Sequence, residues 1–154
     1  IESSIPVGSM PEGIITDGTT LWVANSGEGT VSEIDITSLS ETRHNVGDGP
    51  QNLVLHQGDI YISRTFYDEN WNAYFGTSRI SDEDVLIANY STGTICGGGI
   101  FKLQGSIYRV YDGGIAEIDD GLQIIPETRL GDYGSLVYSA EVIENMVYFG
   151  LTDF

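Results

Sequence analysis

The chain has 154 residues, enough for one domain with a buried core, and its 6 Lys plus Arg against 23 Asp plus Glu give a formal net charge of −17. Such a charge repels phosphate backbones and anionic membrane surfaces, so binding to nucleic acid is disfavoured. No run of ~18 apolar residues is present, and no insertion into a membrane is predicted. The partners compatible with this charge are cations, basic proteins, neutral glycans and small neutral molecules.

A repeated pattern of short strands runs along the chain. Each unit has a strand with an aromatic residue, preceded by a second strand candidate across a short polar turn. The aromatic strands are "LWVANS", "DIYISRT", "SIYRVYD" and "MVYFGLT". Their markers Trp22, Tyr61, Tyr108 and Tyr148 are separated by 39, 47 and 40 residues. A period of ~40 residues with four short strands per unit is typical of a β-propeller blade.

The period predicts an all-β chain with about three complete four-stranded blades and part of a fourth. The predicted blades cover residues 7–45, 46–95, 96–130 and 131–154 of a single domain. We expect "SSIPV" near the start to be an outermost strand. Because propellers have 4–8 blades, this is about half a ring. Either two copies close the ring as a homodimer, or the chain is a fragment of a longer propeller.

The first unit, "IPVGSMPEGIITDGTTLWVANSGEGTVSEIDI", resembles a repeat of the YVTN β-propeller family, with "WVAN" in the place of the YVTN tetrapeptide. The second unit keeps "VGDGPQNLVL" in the corresponding place, and the other units match by period alone. The resemblance implies a propeller and an extracellular or periplasmic location. Its superfamily spans binding modules, lyases and lactonases, so the fold does not determine the function.

One segment, residues 66–84, departs from the repeat and is predicted to be a long aromatic insertion loop. Its rings could stack on a sugar or another planar group, with arginines as hydrogen-bond donors. Alternatively, they cap an open half ring or contact a second copy. Two further polar residues are expected near the channel face. The candidate ligand-binding residues are therefore Arg64, Tyr67, Trp71, Tyr74, Arg79, Glu12 and Asn52.

Acidic turns are the first candidates for a metal site. The clusters Asp82–Asp84 and Glu117–Asp120 offer oxygen ligands for Ca²⁺, but neither has the spacing of a calcium-binding loop. Acids beside glycine are more typical of turns, so no cofactor is predicted. By resemblance to propeller lactonases, Glu12, Asn25 and Asn52 would lie near a channel metal, although Asn25 belongs to the repeat signature and fits a turn-stabilising role better.

Signals of catalysis are weak. His44 and His56 have no accompanying Ser or Asp pattern that indicates a triad, and neither G-x-S-x-G nor a P-loop occurs. Cys96 is the sole cysteine, which excludes an intrachain disulfide and suggests a small apolar core position. Three functions stay open. The favoured one is a non-enzymatic module that binds a small ligand, glycan or protein on its loop-rich face. The others are a channel-metal hydrolase or lyase, and a scaffold without activity of its own.

Overall fold

The computed structural model describes residues 4–90, 99–134 and 137–151, and these form four antiparallel sheets. Sheet 1 comprises β1 (Pro11–Thr16), β2 (Thr20–Asn25), β3 (Thr30–Asp35) and β4 (Glu41–Asn45). Sheet 2 comprises β5 (Pro50–His56), β6 (Asp59–Tyr67), β7 (Ala73–Ile80) and β8 (Val85–Asn89). Sheet 3 comprises β9 (Ile100–Leu103), β10 (Ser106–Tyr111), β11 (Gly114–Ile118) and β12 (Ile124–Leu130), and sheet 4 comprises β13 (Val137–Ile143) and β14 (Met146–Leu151).

Strands follow one another in sequence order within every sheet, as in a meander. The first strands of successive sheets are neighbours: β1 contacts β5, β5 contacts β9, and β9 contacts β13. These four strands therefore surround a common axis, and the last strand of each complete sheet lies farthest from it. The arrangement confirms the predicted all-β propeller fold, with three complete four-stranded blades and part of a fourth.

Alternation of side chains explains why the sheets stack face to face. On β6, Ile60 and Ile62 pack with Trp22 and Val46 in a core between sheets 1 and 2. Tyr61, which lies between these two isoleucines, packs instead in the core between sheets 2 and 3. Because neighbouring residues of a strand point to opposite faces, each inner sheet buries apolar side chains on both sides.

Tyr108, the aromatic marker of sheet 3, packs in the core between sheets 3 and 4, as Tyr61 packs between sheets 2 and 3. Tyr108 packs with Phe101 and Ile115 against Val147 and Phe149 of sheet 4. The Tyr108 and Phe101 rings are stacked, with centroids 6.1 Å apart and planes 5° from parallel. The phenol of Tyr108 donates a hydrogen bond of 2.7 Å to Glu117 Oε1. Thus three of the four aromatic residues that mark the repeat, Trp22, Tyr61 and Tyr108, pack between sheets, whereas Tyr148 is exposed.

The structure corrects the predicted loop at 66–84. Residues 66–67 belong to β6 and residues 73–80 form β7, whose pairing with β6 extends to Tyr67↔Ala73, so only the turns at 68–72 and 81–84 lie outside strands. The aromatic residues are strand formers that pair across the hairpin, as Phe66 does with Tyr74. Because β7 is the third strand of sheet 2, the segment "DVLIANY" supplies the fourth strand, β8.

Other expectations fall at the edges of the sheets. Residues 4–7 of the predicted strand "SSIPV" lie outside the sheets of the single chain, and their pairing with a second copy stays a prediction. Cys96 lies outside the described residues. The outward face of sheet 4 exposes Met146 and Tyr148, while the ring-closing homodimer stays a prediction. No helix that is long and apolar enough to cross a membrane occurs among the residues described.

Two glycines beside the strands of sheet 2 test how closely the backbone before β5 approaches β6. Gly49 lies just before β5, and Gly58 lies in the turn between β5 and β6. Gly49 has φ +65°, and a Cβ there would collide with the carbonyl oxygen of Thr65, whereas Gly58 has φ +95° and open space around it. We expect Gly58→Ala to lower the free energy of unfolding by about 1–2 kcal/mol, the cost of left-handed backbone. Gly49→Ala should lose about 1–3 kcal/mol more, because the collision adds to that cost. Chemical denaturation measures both, and equal losses would contradict the close approach.

Burial of Tyr108 predicts a dependence of stability on alkaline pH. Desolvation, assisted by the Glu117 carboxylate, raises the pKa of the Tyr108 phenol from 10.0 to about 12. A raised pKa means that the folded state favours the neutral phenol. The associated stability is therefore complete below pH 10 and lost as pH rises to about 12. We expect a loss on the order of 2 kcal/mol from this group across that interval.

The variant Tyr108→Phe isolates this effect, because it removes the titrating group and keeps the ring. Denaturation curves between pH 9 and about 12 should show a shallower loss of stability for this variant than for the unchanged protein. The control is Tyr148→Phe, since the Tyr148 side chain is exposed. Parallel curves for the unchanged protein and Tyr108→Phe would show that the phenol is not held neutral.

Candidate ligand-binding site

A cavity of about 670 Å³ lies against the strands that surround the axis. All four sheets contribute to its wall, through β1, β5 and β13 and through Gly99 and the first residues of β9. The polar residues of the lining are Glu12, Gln51, Asn52, Lys102 and Glu141. Volumes of about 300–1,000 Å³ are typical of small-molecule sites, so this cavity is the candidate site.

Irregular pairing at equivalent places brings polar residues of β1 and β5 to the cavity. The β1–β2 register shifts between Pro11 and Ile14, which includes Glu12. The β5–β6 register shifts between Pro50 and Leu53, which includes Gln51 and Asn52. Such bulges interrupt the ladder and redirect side chains, and they are frequent beside functional sites. The two bulges thus account for the polar rim that these strands give the cavity.

Gly13 lets the two bulges approach each other. A Cβ at Gly13 would collide with the carbonyl oxygen of Gln51 and lie within 3.3 Å of Asn52 Cα. The absence of a side chain therefore allows Glu12 of β1 and Asn52 of β5 to reach the same cavity, as expected from the sequence. The backbone N–H of Asn52 also donates a hydrogen bond of 3.2 Å to the Ser63 hydroxyl, which anchors this part of β5 to β6.

The charged groups of the cavity are accessible. Glu12, Lys102 and Glu141 are exposed, and their charged ends form no hydrogen bond or ion pair with any residue that the structure describes. Beneath them lie Leu53 and Phe101, both buried. The cavity therefore presents two carboxylates and one ammonium above an apolar floor, with two carboxamides beside them.

The predicted aromatic residues lie together at a different place. Tyr67, Trp71 and Tyr74 cluster at the end of the β6–β7 hairpin, around the turn at 68–72. None of them is among the residues that line the axial cavity. The predicted single site thus separates into an axial cavity with Glu12 and Asn52, and a hairpin tip with the three aromatic side chains.

Arg64 belongs to the interior. Its side chain is 2% exposed and donates to the carbonyl oxygens of Asp48, at 3.3 Å, and Ala88, at 3.0 Å, and to the Asn89 side chain. Burial lowers the pKa of the Arg64 guanidinium, partly offset by Asp48. These contacts make Arg64 a link between β6, β8 and the loop before β5, and they leave it unavailable at the surface.

Arg79 lies at the opposite end of the same hairpin. It pairs with Tyr61 in the ladder, six residues from the Ala73 end of β7, or about 20 Å along the strand. Its guanidinium is 3.5 Å from the Asp59 carboxylate and 3.8 Å from that of Asp84. The structure therefore does not bring Arg79 to the aromatic residues that were predicted to share a site with it.

The acidic turns show the geometry of turns. The Asp84 carboxylate accepts a hydrogen bond of 2.9 Å from the Ser81 hydroxyl, and that of Asp119 accepts one of 2.8 Å from the Gln123 N–H. The described part of the chain has no group of three His, Cys, Asp or Glu side chains placed to hold a metal ion. Asn25 is buried and donates to the Thr30 and Ser32 hydroxyls, as a turn-stabilising residue would.

Three polar residues of the cavity are not among those predicted from the sequence: Gln51, Lys102 and Glu141. Gln51 is adjacent to Asn52 in the bulge. Lys102 is the only lysine of the chain and lies on an innermost strand between two buried residues, Phe101 and Leu103. A polar residue on a strand otherwise occupied by apolar ones is a signal that could have identified it.

Comparison with solved structures supports the propeller architecture. A streptogramin B lyase structure aligns with 97% of this chain, with a TM-score of 0.62 and 20% identity. The PQQ-bound form of aldose sugar dehydrogenase from Streptomyces coelicolor aligns with 95% of it, with a TM-score of 0.56 and 13% identity. The chain spans 50% and 57% of those two chains. At these identities the likeness shows the fold alone.

Sequence comparison adds no family. The sequence matches no protein-family model and no curated protein. The resemblance of the first unit to YVTN repeats therefore stays a prediction, while the β-propeller architecture is shown by the sheets and by the two solved structures.

Proposed function

We propose that the protein is a non-enzymatic binding module that takes a small polar ligand into the axial cavity. The observation that carries the proposal is the pair of equivalent bulges in β1 and β5. They direct Glu12 and Asn52 to a cavity that also receives Lys102 and Glu141. Side chains from separate sheets that meet at one concave surface, with charges that no described residue engages, are what ligand recognition requires.

The charges of the cavity indicate the class of ligand. Glu12 and Glu141 contribute two negative charges and Lys102 contributes one positive charge, so the lining has a net charge of −1. A ligand with one amine and several hydroxyl groups would pair its ammonium with a carboxylate. Its hydroxyls would bind the carboxamides and the remaining charges. Amino sugars are the simplest class with this composition, and their rings can also cover the apolar floor.

An enzyme of the lyase or hydrolase class is the second candidate. It is favoured by the presence of carboxylates and an amine in one cavity, since these groups can act as general bases and acids. The names of the two solved structures, a lyase and a sugar dehydrogenase, show that the architecture can carry catalysis. A scaffold without ligand is the third possibility. The extracellular or periplasmic location also remains a proposal.

Calorimetric titration with glucosamine and glucose tests the leading proposal. We expect glucosamine to bind more tightly than glucose, because only glucosamine carries an ammonium group for Glu12 or Glu141. Glu12→Gln and Glu141→Gln should each weaken glucosamine binding, by about tenfold for the carboxylate that pairs with the amine. The matched control is Glu127→Gln, on the outermost strand of sheet 3, which should bind as the unchanged protein does.

The same samples distinguish the other candidates. Conversion of glucosamine to a new species, followed by NMR, would favour the enzyme. Absence of heat and of conversion with either sugar would contradict the binding of an amino sugar. Equal binding of both sugars that is insensitive to Glu12→Gln and Glu141→Gln would contradict the role of the carboxylates.

A further inference from the structure

The tip of the β6–β7 hairpin is a turn held rigidly by one aspartate. Asp68 Oδ1 accepts hydrogen bonds from the N–H groups of Asn70, at 2.8 Å, and Asn72, at 2.9 Å. Its Oδ2 accepts from Asn72 Nδ2 at 2.8 Å and from the Tyr74 hydroxyl at 3.2 Å. The Trp71 N–H also donates to the Asp68 carbonyl oxygen. Four hydrogen bonds to the Asp68 carboxylate hold the turn in the conformation that exposes its aromatic side chains.

Trp71 has a backbone conformation in this turn that is unfavourable for a bulky side chain. Its backbone has φ +63°, in the left-handed region where glycine and asparagine are favoured. Its side chain is 83% exposed, so packing in the protein's interior does not compensate the strain. Backbone strain without a gain in stability points to a role of the side chain outside the fold. We therefore expect the Trp71 side chain to contact a binding partner.

A second ring forms a wall beside Trp71. Tyr67 is 59% exposed, and its ring lies 6.2 Å from that of Trp71, with the two planes inclined by 52°. Below them the Phe66 and Tyr74 rings stack at 5.8 Å and support the hairpin. At this separation the two rings are in contact with each other, so they form one exposed aromatic surface, on whose outer side a flat or cationic group can stack.

The charge of the tip indicates which chemical group binds to the Trp71 and Tyr67 rings. The tip, residues 66–75, contains Asp68 and Glu69 and no lysine or arginine, on a protein of net charge −17. The face of a tryptophan ring attracts cations, and arginine is the side chain that most often stacks there. We propose that the tip is a docking surface for a basic segment of a partner protein, with an arginine stacked on the exposed surface that Trp71 and Tyr67 form together. This surface is separate from the axial cavity and does not depend on the proposed ligand.

Fluorescence titration with hexa-arginine tests the proposal. The chain has two tryptophans, and Trp22 is buried, so quenching on binding reports Trp71. At about 0.15 M salt, which screens the general attraction of the acidic surface, we expect saturable quenching by hexa-arginine and weaker quenching by hexalysine. Hexaglutamate should have no effect. Affinity for hexa-arginine is then measured by calorimetry in the variants.

Trp71→Asn is the decisive variant, because asparagine accepts left-handed backbone and the fold is retained or stabilised. It should weaken hexa-arginine binding by about threefold to tenfold, and Tyr67→Ala should weaken it to a similar degree. The matched control is Tyr148→Ala, which removes another exposed aromatic side chain, on sheet 4, and should leave the affinity unchanged.

Three results would overturn the proposal. The first is hexa-arginine binding that is equal in Trp71→Asn and the unchanged protein. The second is a loss in Tyr148→Ala as large as in Trp71→Asn, which would indicate attraction to the whole surface. The third is Trp71-dependent quenching by the neutral oligosaccharide cellohexaose without any by hexa-arginine, which would make the tip a glycan site.

Discussion

The stacking of sheets that are apolar on both faces is the constraint on which the rest of the structure depends. Sheet 2 shows it most clearly, since Ile62 is fully buried against sheet 1 while Tyr61 packs towards sheet 3. A sheet of this kind has no face for water, so polar groups accumulate at the ends of the strands and along the axis. Among the residues that the structure describes, the axial cavity and the hairpin tip are two places where polar or aromatic side chains stay accessible.

Polar side chains that enter the stack are held by hydrogen bonds to backbone carbonyl oxygens and to side-chain oxygens. Arg109 of sheet 3 is fully buried and donates to the Gly76 carbonyl oxygen at 2.5 Å and to the Thr77 hydroxyl at 2.6 Å. Burial lowers the pKa of its guanidinium to about 10. A Cβ at Gly76 would collide with the guanidinium of Arg64. Gly76 thus lies between two arginines: Arg109 links sheet 3 to sheet 2, and Arg64 links β6 to β8 and to the loop before β5.

The repeat was readable from the sequence because packing acts on it directly. Trp22, Tyr61 and Tyr108 occupy equivalent core positions, so their spacing reports the sheets. The bulges that carry Glu12 and Asn52 leave no such pattern, since a bulge depends on the pairing partner and not on local propensity. The segment 66–84 was predicted to be a loop because it is longer than the short turn "SGEG" at the corresponding place of the first unit. In the structure the hairpin itself is longer. The separation of Arg79 from Trp71 follows from that same pairing.

The central claim is that strands of different sheets bring Lys102, Glu12 and Glu141 to one cavity. Reductive methylation with ¹³C-formaldehyde labels Lys102, the only lysine, together with the α-amino group; the Lys102 signal is the one missing in Lys102→Arg, and it reports the local electric field. The account predicts that this signal moves in Glu12→Gln and in Glu141→Gln but not in Glu127→Gln. A Lys102 signal at the same position in all three variants would contradict the cavity, and with it the proposed site.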